Sequence, residues 1–191
     1  DFAKFADVSR QAGINPRRDR SWRFEIPEEK GSLAGLLAGL PDGVSIMDLQ
    51  YGRTISEPQR PLLSVDFPDL VFAEFEKWIA RNEESAEDVT GHGATRFRVI
   101  PFIPSLFVSP LFVEVEFPER AGALLGFMNA ISSITSLCYF NYAYTGERVG
   151  RALIGLDFDN EEELTVHRKK IFEQAGKTVR AVKEVLIDSP F

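Results

Sequence analysis

Apolar and charged residues alternate along two short stretches of this chain, "SWRFEIP" at 21–27 and "FVEVEFP" at 112–118. Alternation with a period of two is typical of a β-strand that has one buried and one solvated face. The proline at the end of each stretch has no N–H to donate, so it ends the hydrogen-bonded ladder. The pattern therefore predicts two strands that stop at equivalent points.

A second periodicity follows each strand. Apolar residues recur at i, i+3, i+4 and i+7, which is the spacing of one face of an α-helix. The residues are Leu33, Leu36, Leu37 and Leu40 in one place and Leu124, Phe127, Met128 and Ile131 in the other. Further segments predict strands at "VSIMDLQYGR", "PLLSVDF", "TSLCYFNYAY" and "RALIGLDF", and helices at "LVFAEFEKWIARNE" and "EELTVHRKKIFEQAG".

These two stretches belong to an internal duplication. A shift that aligns residue 22 with residue 113 pairs 22–69 with 113–160 without a gap, and the Gly, Pro and Tyr positions match. The order β-α-β-β-α-β in each copy predicts the α+β class, with two ferredoxin-like units that each have a four-stranded antiparallel sheet and two helices on one face. We place unit 1 at 20–109 and unit 2 at 110–191.

Local signals predict some element ends. Asp69 and Asp159 stand where the second helix of each unit should start, and an acidic side chain there can cap free N–H groups. Gly176 should end the last helix, and "KTVRAVKEVLI" should supply the fourth strand of unit 2. In unit 1 the fourth strand should come from 95–108, and the polar stretch 82–94 should be a loop.

Composition argues against several functions. The net charge is −7 with scattered basic residues, which does not suit nucleic-acid binding. The single cysteine, Cys138, excludes an intrachain disulfide, and without a Cys/His cluster we expect no metal site; Cys138 should be a buried thiol on the strand face of Phe140 and Tyr142. No membrane span or secretory signal is visible, so a cytoplasmic location is the default. His92 and His167 have no catalytic partner at telling spacing, and we expect no active site.

A ligand site is easier to place. Gly31 and Gly122 precede the first helix of each copy, where free N–H groups can receive an anion such as an α-carboxylate. Tyr51 and Tyr142 end the facing strands and could supply an aromatic wall and a phenol donor. We expect a cavity near one of these glycines, lined by one of these tyrosines. The alternative is that the glycines serve only the geometry of a tight turn.

The motifs "IPEEKGSL" and "FPERAGALLGFMN", each followed by a strand ending in "LQY" or "FNY", resemble the C-terminal regulatory region of biosynthetic threonine dehydratase (threonine deaminase). The resemblance covers roughly 20–190 and implies tandem ACT-like units. It also makes 1–19, with "FAKFADVSRQAGI", similar to the helix that links the regulatory region to the pyridoxal-phosphate domain. In that family isoleucine inhibits, valine counteracts, and both bind at interfaces of the ACT-like units.

The resemblance implies an allosteric amino-acid-binding module of isoleucine biosynthesis. Carried over by position, the effector-binding residues are Lys30, Gly31, Ser32, Leu33, Tyr51, Ala121, Gly122, Ala123, Leu124 and Tyr142. The sequence departs from the family at Gly52 and Ala143, where an arginine is usual. The Schiff-base lysine and phosphate loop are absent, so pyridoxal phosphate would belong to a catalytic domain outside this chain, and the chain alone is not an enzyme.

Expected partners are isoleucine or valine, the catalytic domain of a threonine dehydratase, and further copies of the chain, because sheet edges of such units usually pair. The competing hypothesis is an interaction or oligomerisation module that kept the fold and lost the effector. An enzyme on the ferredoxin-like fold would need a polar cluster on the sheet, which the sequence does not indicate.

Overall fold

The computed structural model describes residues 20–92, 95, 98–118, 122–143 and 149–187. The predicted linker helix at 1–19 lies outside these residues. The strands are β1 Arg20–Phe24, β2 Ser45–Gly52, β3 Leu62–Asp66, β4 Ala86–Asp88, β5 Ser109–Pro118, β6 Ser136–Ala143, β7 Val149–Phe158 and β8 Ala181–Glu184. The α-helices are α1 Ser32–Leu37, α2 Phe72–Arg81, α3 Ala123–Ile131 and α4 Glu161–Thr178.

The described strands form one antiparallel sheet of eight, in the order β4-β1-β3-β2-β6-β7-β5-β8. The central pair, β2 with β6, joins the two halves of the chain and runs from Asp48 opposite Ala143 to Gly52 opposite Tyr139. Each half follows the order β-α-β-β-α-β. The predicted mixed class with an antiparallel sheet is confirmed, and the order is compatible with ACT-like ferredoxin folds.

The main core lies between the helices and one face of the sheet. In the first half, Phe75 of α2 stacks on Phe67 with ring centroids 4.6 Å apart, and Trp78 meets Phe24 edge-on at 5.5 Å. In the second half, the fully buried Phe127 of α3 packs against Phe117 of β5. The predicted apolar faces therefore point inward on both sides of the β2–β6 pair.

A smaller cluster lies on the opposite face of the sheet. Phe112 precedes the core residue Val113, and successive strand residues point to opposite faces. Ile100, Phe102 and Phe107 pack on this cluster, so the segment 98–108 covers the second face. The prediction that 95–108 supplies the fourth strand of the first half was wrong.

The fourth strand of the first half is β4, in the stretch predicted as a loop. It pairs antiparallel with β1, with Trp22 opposite Asp88. Its three residues, "AED", are too short and polar to show a period of two, so pairing with β1 defines the strand rather than any local pattern. The segment 98–108 instead carries prolines, which cannot donate to a ladder, and buries its aromatic side chains.

Three local predictions are corrected by the structure. A register shift between Leu137 and Tyr139 is a β-bulge, so the buried Cys138 clusters with Phe112 and Tyr139 rather than on the face of Phe140 and Tyr142. Asn160, not Asp159, caps α4, because its side chain accepts a hydrogen bond from the Glu163 amide at 2.9 Å.

Gly176 does not end α4, which continues to Thr178. Ala175 is fully buried, and its carbonyl accepts the Val179 amide at 3.0 Å. In the first half, a 3-10 turn Asp69–Val71 precedes α2 and has no side-chain cap. Among the described helices, none is long and apolar enough to cross a bilayer.

Candidate functional site: two related cavities at the central strand pair

Two cavities flank the β2–β6 pair, and the sequence repeat relates them. The first lies between the Gly31 turn with Tyr51 and the segment that joins α3 to β6. The second lies between the Gly122 turn with Tyr142 and the segment that joins α1 to β2. Equivalent positions line opposite cavities, as Ser136 lines the first and its repeat partner Ser45 lines the second. Each half therefore supplies one wall to both cavities.

The two cavities differ tenfold in size. The first holds about 30 Å³, which is room for about two water molecules. The second holds about 330 Å³, which is within the range of small-molecule sites. A cavity near a repeated glycine and lined by a repeated tyrosine was predicted, and the second cavity has both properties.

The repeated glycines have a geometric role. Gly31 has φ of 88° and Gly122 has φ of 77°, and both precede the first turn of a helix. This left-handed conformation is open to glycine and strained for most other residues. Turn geometry alone therefore accounts for the repeat of glycine at these positions, and ligand binding needs evidence of its own.

The larger cavity has an apolar floor and an acidic edge. Apolar side chains come from both halves: Leu37, Leu40, Val44, Ile46, Phe117 and Leu124. Asp42 and Asp66 also line it, and none of the described residues of the lining is Lys, Arg or His. Tyr142 is 8% exposed and meets Phe117 edge-on at 5.8 Å. This arrangement suits a small molecule with an apolar part and a cationic group.

Gly150 makes room for Tyr142 at this cavity. A Cβ atom at position 150 would lie 2.6 Å from the Tyr142 hydroxyl oxygen, which is too close for any real contact. Glycine on β7 therefore lets the ring of Tyr142 lie against the backbone. The position of the phenol depends on a residue that the motif analysis did not single out.

The smaller cavity is bounded by Tyr51 and Glu28. Tyr51 is 4% exposed, and burial, with the nearby charge of Glu28, raises the pKa of its phenol. Tyr51 therefore stays neutral and can donate a hydrogen bond. Burial also raises the pKa of Glu28; the charge of Arg53 opposes this shift, while Glu57 and Asp157 add to it.

Arg53 is the buried cation behind the smaller cavity. It forms ion pairs with Glu28 and with Asp157 of β7, and its Nη1 and Nη2 atoms also donate to the carbonyls of Leu106 and Leu137 at 3.1 and 3.3 Å. Asp157 Oδ1 accepts two backbone amides, from residues 108 and 109, each at 2.9 Å. The cluster thus ties β2, β7 and the covering segment together.

Sequence reasoning missed Arg53. It follows Tyr51 by two positions and comes directly after the last residue of β2. The intervening Gly52 allows Pro101 to approach, because a Cβ at position 52 would lie 2.1 Å from the Pro101 carbonyl oxygen. The sequence "YGR" shows an arginine close to the repeated tyrosine. The residues that bury this arginine and pair with it, the segment 98–108 and Asp157, are distant in the chain.

The predicted site residues divide between the two cavities. Gly31, Ser32, Leu33 and Tyr51 line the first, and Gly122, Ala123, Leu124 and Tyr142 line the second. Lys30 lines neither and forms an exposed ion pair with Asp159 at 3.3 Å. Ala121 lies outside the described residues. That these residues bind an effector stays a prediction.

Comparison with known proteins finds that part of this chain is similar to a regulatory domain. Residues 109–184 match the family model of the C-terminal regulatory domain of threonine dehydratase. The chain is 36% identical over 66 residues to the mitochondrial threonine dehydratase of Saccharomyces cerevisiae (strain ATCC 204508 / S288c), which covers 35% of this chain and 11% of that protein.

A longer match is to the L-threonine dehydratase biosynthetic IlvA of Burkholderia multivorans (strain ATCC 17616 / 249). It is 22% identical over 173 residues, covering 88% of this chain and 34% of that protein. The predicted resemblance to the C-terminal regulatory region of threonine dehydratase is thereby confirmed. The chain spans about a tenth and about a third of the length of these two relatives.

Proposed function

We propose that this chain is an allosteric regulatory module that binds a branched-chain amino acid, isoleucine or valine, in isoleucine biosynthesis. The match of 109–184 to a threonine dehydratase regulatory domain supports the regulatory role. The cavity of about 330 Å³ at the Gly122 turn is the observation that carries the binding function. We propose further that the two halves are tandem ACT-like units.

The chemistry of the larger cavity fits an aliphatic amino acid. Leu40, Val44 and Phe117 would surround the side chain, whose burial is favourable by about 25 cal/mol per Å² of apolar surface. Asp66 and Asp42 would attract the ammonium group, because they are the charged side chains among the described residues of the lining. The carboxylate would lie toward the amide groups at the start of α3, the positive end of that helix.

The module would act on a catalytic domain that binds pyridoxal phosphate and deaminates threonine. In this proposal the chain binds the amino acid. Because each half provides one wall of each cavity, binding changes the relative position of the two halves. The catalytic partner, a cytoplasmic location and assembly into homo-oligomers are parts of the same proposal. Sedimentation at high protein concentration tests assembly, and a monomer would contradict it.

Isothermal calorimetry of the whole chain with L-isoleucine and L-valine tests the binding function. D-isoleucine is the matched control, since it has the same groups in a different arrangement. We expect saturable heat and a rise in melting temperature with an L-enantiomer at millimolar concentration or below. Absence of both effects for isoleucine and valine would contradict the proposal for these ligands.

The competing function is an interaction module that lost its effector. The small volume of the first cavity, about 30 Å³, is the observation that favours it. The two functions predict different outcomes at the second cavity, where only a binding module responds to amino acids. A chain that assembles with a threonine dehydratase catalytic domain but takes up no amino acid would support this alternative.

A further inference from the structure

The small volume of the first cavity has a structural reason. Glu28, on the turn before α1, points its carboxylate at Arg53 and forms part of the cavity wall. Leu137, whose carbonyl accepts a hydrogen bond from Arg53, forms another part. The guanidinium group of Arg53 therefore lies directly behind two residues of the lining, and Glu28 stands between it and the cavity.

Glu28 is the exchangeable partner of Arg53. Asp157 is held by Arg53 and by two backbone amides at 2.9 Å, and its side chain is 5% exposed. The Glu28 side chain is 31% exposed. The charge of Arg53 is already balanced by Asp157, so Glu28 is a second carboxylate at one cation. Partial burial raises the pKa of Glu28, Arg53 opposes this shift, and Glu57 and Asp157 add to it.

Comparison of the two repeats shows that the pairing of an arginine with an aspartate at these positions occurs at only one of the two cavities. Asp157 has Asp66 as its repeat partner, and Asp66 lines the large cavity. Arg53 has Tyr144 as its repeat partner, so the second copy has no arginine at that position. The small cavity is thus backed by a cation, whereas the charged side chains in the described part of the large cavity's lining are carboxylates.

We propose that the small cavity is a carboxylate-binding site that Glu28 keeps closed by occupying Arg53 in place of a ligand. Displacement of Glu28 opens the site to a monocarboxylate with a short aliphatic chain, which the apolar lining from Ile26, Leu33 and Met128 would receive. The two cavities then differ in chemistry as well as in volume: the large one offers carboxylates to an ammonium group, and the small one offers the guanidinium group of Arg53 to a carboxylate. The inference concerns one of the effector cavities of the proposed function.

The probe for this test is 3-methylpentanoate, which is isoleucine without its ammonium group. Binding that is gained only when Glu28 is replaced reports on the small cavity, because Glu28 lines that cavity and not the large one. The variant is Glu28→Gln, which removes the charge that holds Arg53 and so frees this partly exposed side chain to leave the cavity wall. Glu29→Gln is the matched control, because it makes the same charge change on the same turn and at a residue that also lines the small cavity, whereas the carboxylates paired with Arg53 are Glu28 and Asp157. Calorimetry on the full chain measures the dissociation constants.

We expect 3-methylpentanoate to bind Glu28→Gln at least about tenfold more tightly than the wild type or Glu29→Gln, which corresponds to about 1.4 kcal/mol. Equal affinity in all three proteins would overturn the proposal. Melting temperatures check folding, and Glu28→Ala, which removes the carboxylate by truncation, repeats the test if Glu28→Gln melts early.

A competition experiment separates this inference from the proposed function. With L-isoleucine at saturation, 3-methylpentanoate should still bind Glu28→Gln, since the two ligands occupy different cavities. Full competition would overturn the assignment to the small cavity. If L-isoleucine does not bind the wild type, the proposed function fails, while binding of the probe to Glu28→Gln alone still supports the closure by Glu28.

Discussion

Arg53 at the end of β2 and Asp157 on β7 form a buried ion pair between the two halves of the chain, with side chains only 8% and 5% exposed. Both groups make further hydrogen bonds, Arg53 to carbonyl oxygens and Asp157 to amides of the covering segment. A pair of this kind fixes relative position, because either charge left alone in a buried place is costly. It connects the small cavity to the packing of the two halves.

The first prediction concerns this pair. Asp157→Ala leaves Arg53 without its best partner and two amides without an acceptor, so we expect the free energy of unfolding to fall by about 3–5 kcal/mol. Asp159→Ala is the control: Asp159 pairs with Lys30 at the surface, and its loss should cost at most about 1 kcal/mol. Urea denaturation measures both, and similar losses in the two variants would contradict the role of the buried pair.

The second prediction is a pH dependence of stability from Glu28. Its pKa is raised above the ordinary value of 4.5, chiefly by burial, against the opposing charge of Arg53. The folded state therefore holds this proton more tightly than the unfolded state. The stabilisation is fully present below pH 4.5 and is lost as the pH rises through the raised pKa.

Glu28→Gln removes that contribution. From pH 4.5 upward we expect the free energy of unfolding of this variant to fall less steeply than that of the wild type. Denaturation series at several pH values provide the slopes. Parallel slopes for Glu28→Gln and wild type would show that Glu28 does not titrate differently in the folded state.

The third prediction tests the approach of the covering segment to β2. Gly52→Ala would place a Cβ 2.1 Å from the Pro101 carbonyl oxygen, so the backbone must shift, and we expect a loss of about 1–3 kcal/mol or more. Gly35→Ala is the contrasting control, because nothing lies within 4 Å of its Cβ position and alanine stabilises a helix interior by about 1 kcal/mol relative to glycine. A neutral Gly52→Ala would mean that the segment 98–108 does not lie against this strand.

The sequence predicted those features that depend on neighbouring residues. The turns at Gly31 and Gly122 depend on a backbone conformation that favours glycine. The apolar faces of α1 and α3 depend on the spacing of apolar residues within each helix. Because both signals are local, the two copies of the repeat could be aligned and their turns and helices located from the sequence. The same alignment predicted that Tyr51 and Tyr142 occupy equivalent positions, because each lies 20 residues after the repeated glycine of its half.

Features that depend on distant residues could not be predicted. β4 becomes a strand because β1 offers a free edge, and Cys138 changes face because β6 has a bulge where it pairs with β7. Arg53 meets an aspartate 104 positions away. No local pattern encodes such a partner, and for this reason the difference between the two cavities was not visible in the nearly equal motifs that line them.

The central claim, that the Gly122 cavity binds a branched-chain amino acid, is tested most directly by filling that cavity. Ser45 lines it, and Ser136, its repeat partner, lines the small one, so Ser45→Phe and Ser136→Phe are a matched pair. In calorimetric titrations with L-isoleucine, we expect Ser45→Phe to weaken binding at least about tenfold, or about 1.4 kcal/mol, and Ser136→Phe to retain it. Unchanged isoleucine affinity in a folded Ser45→Phe variant would contradict the claim.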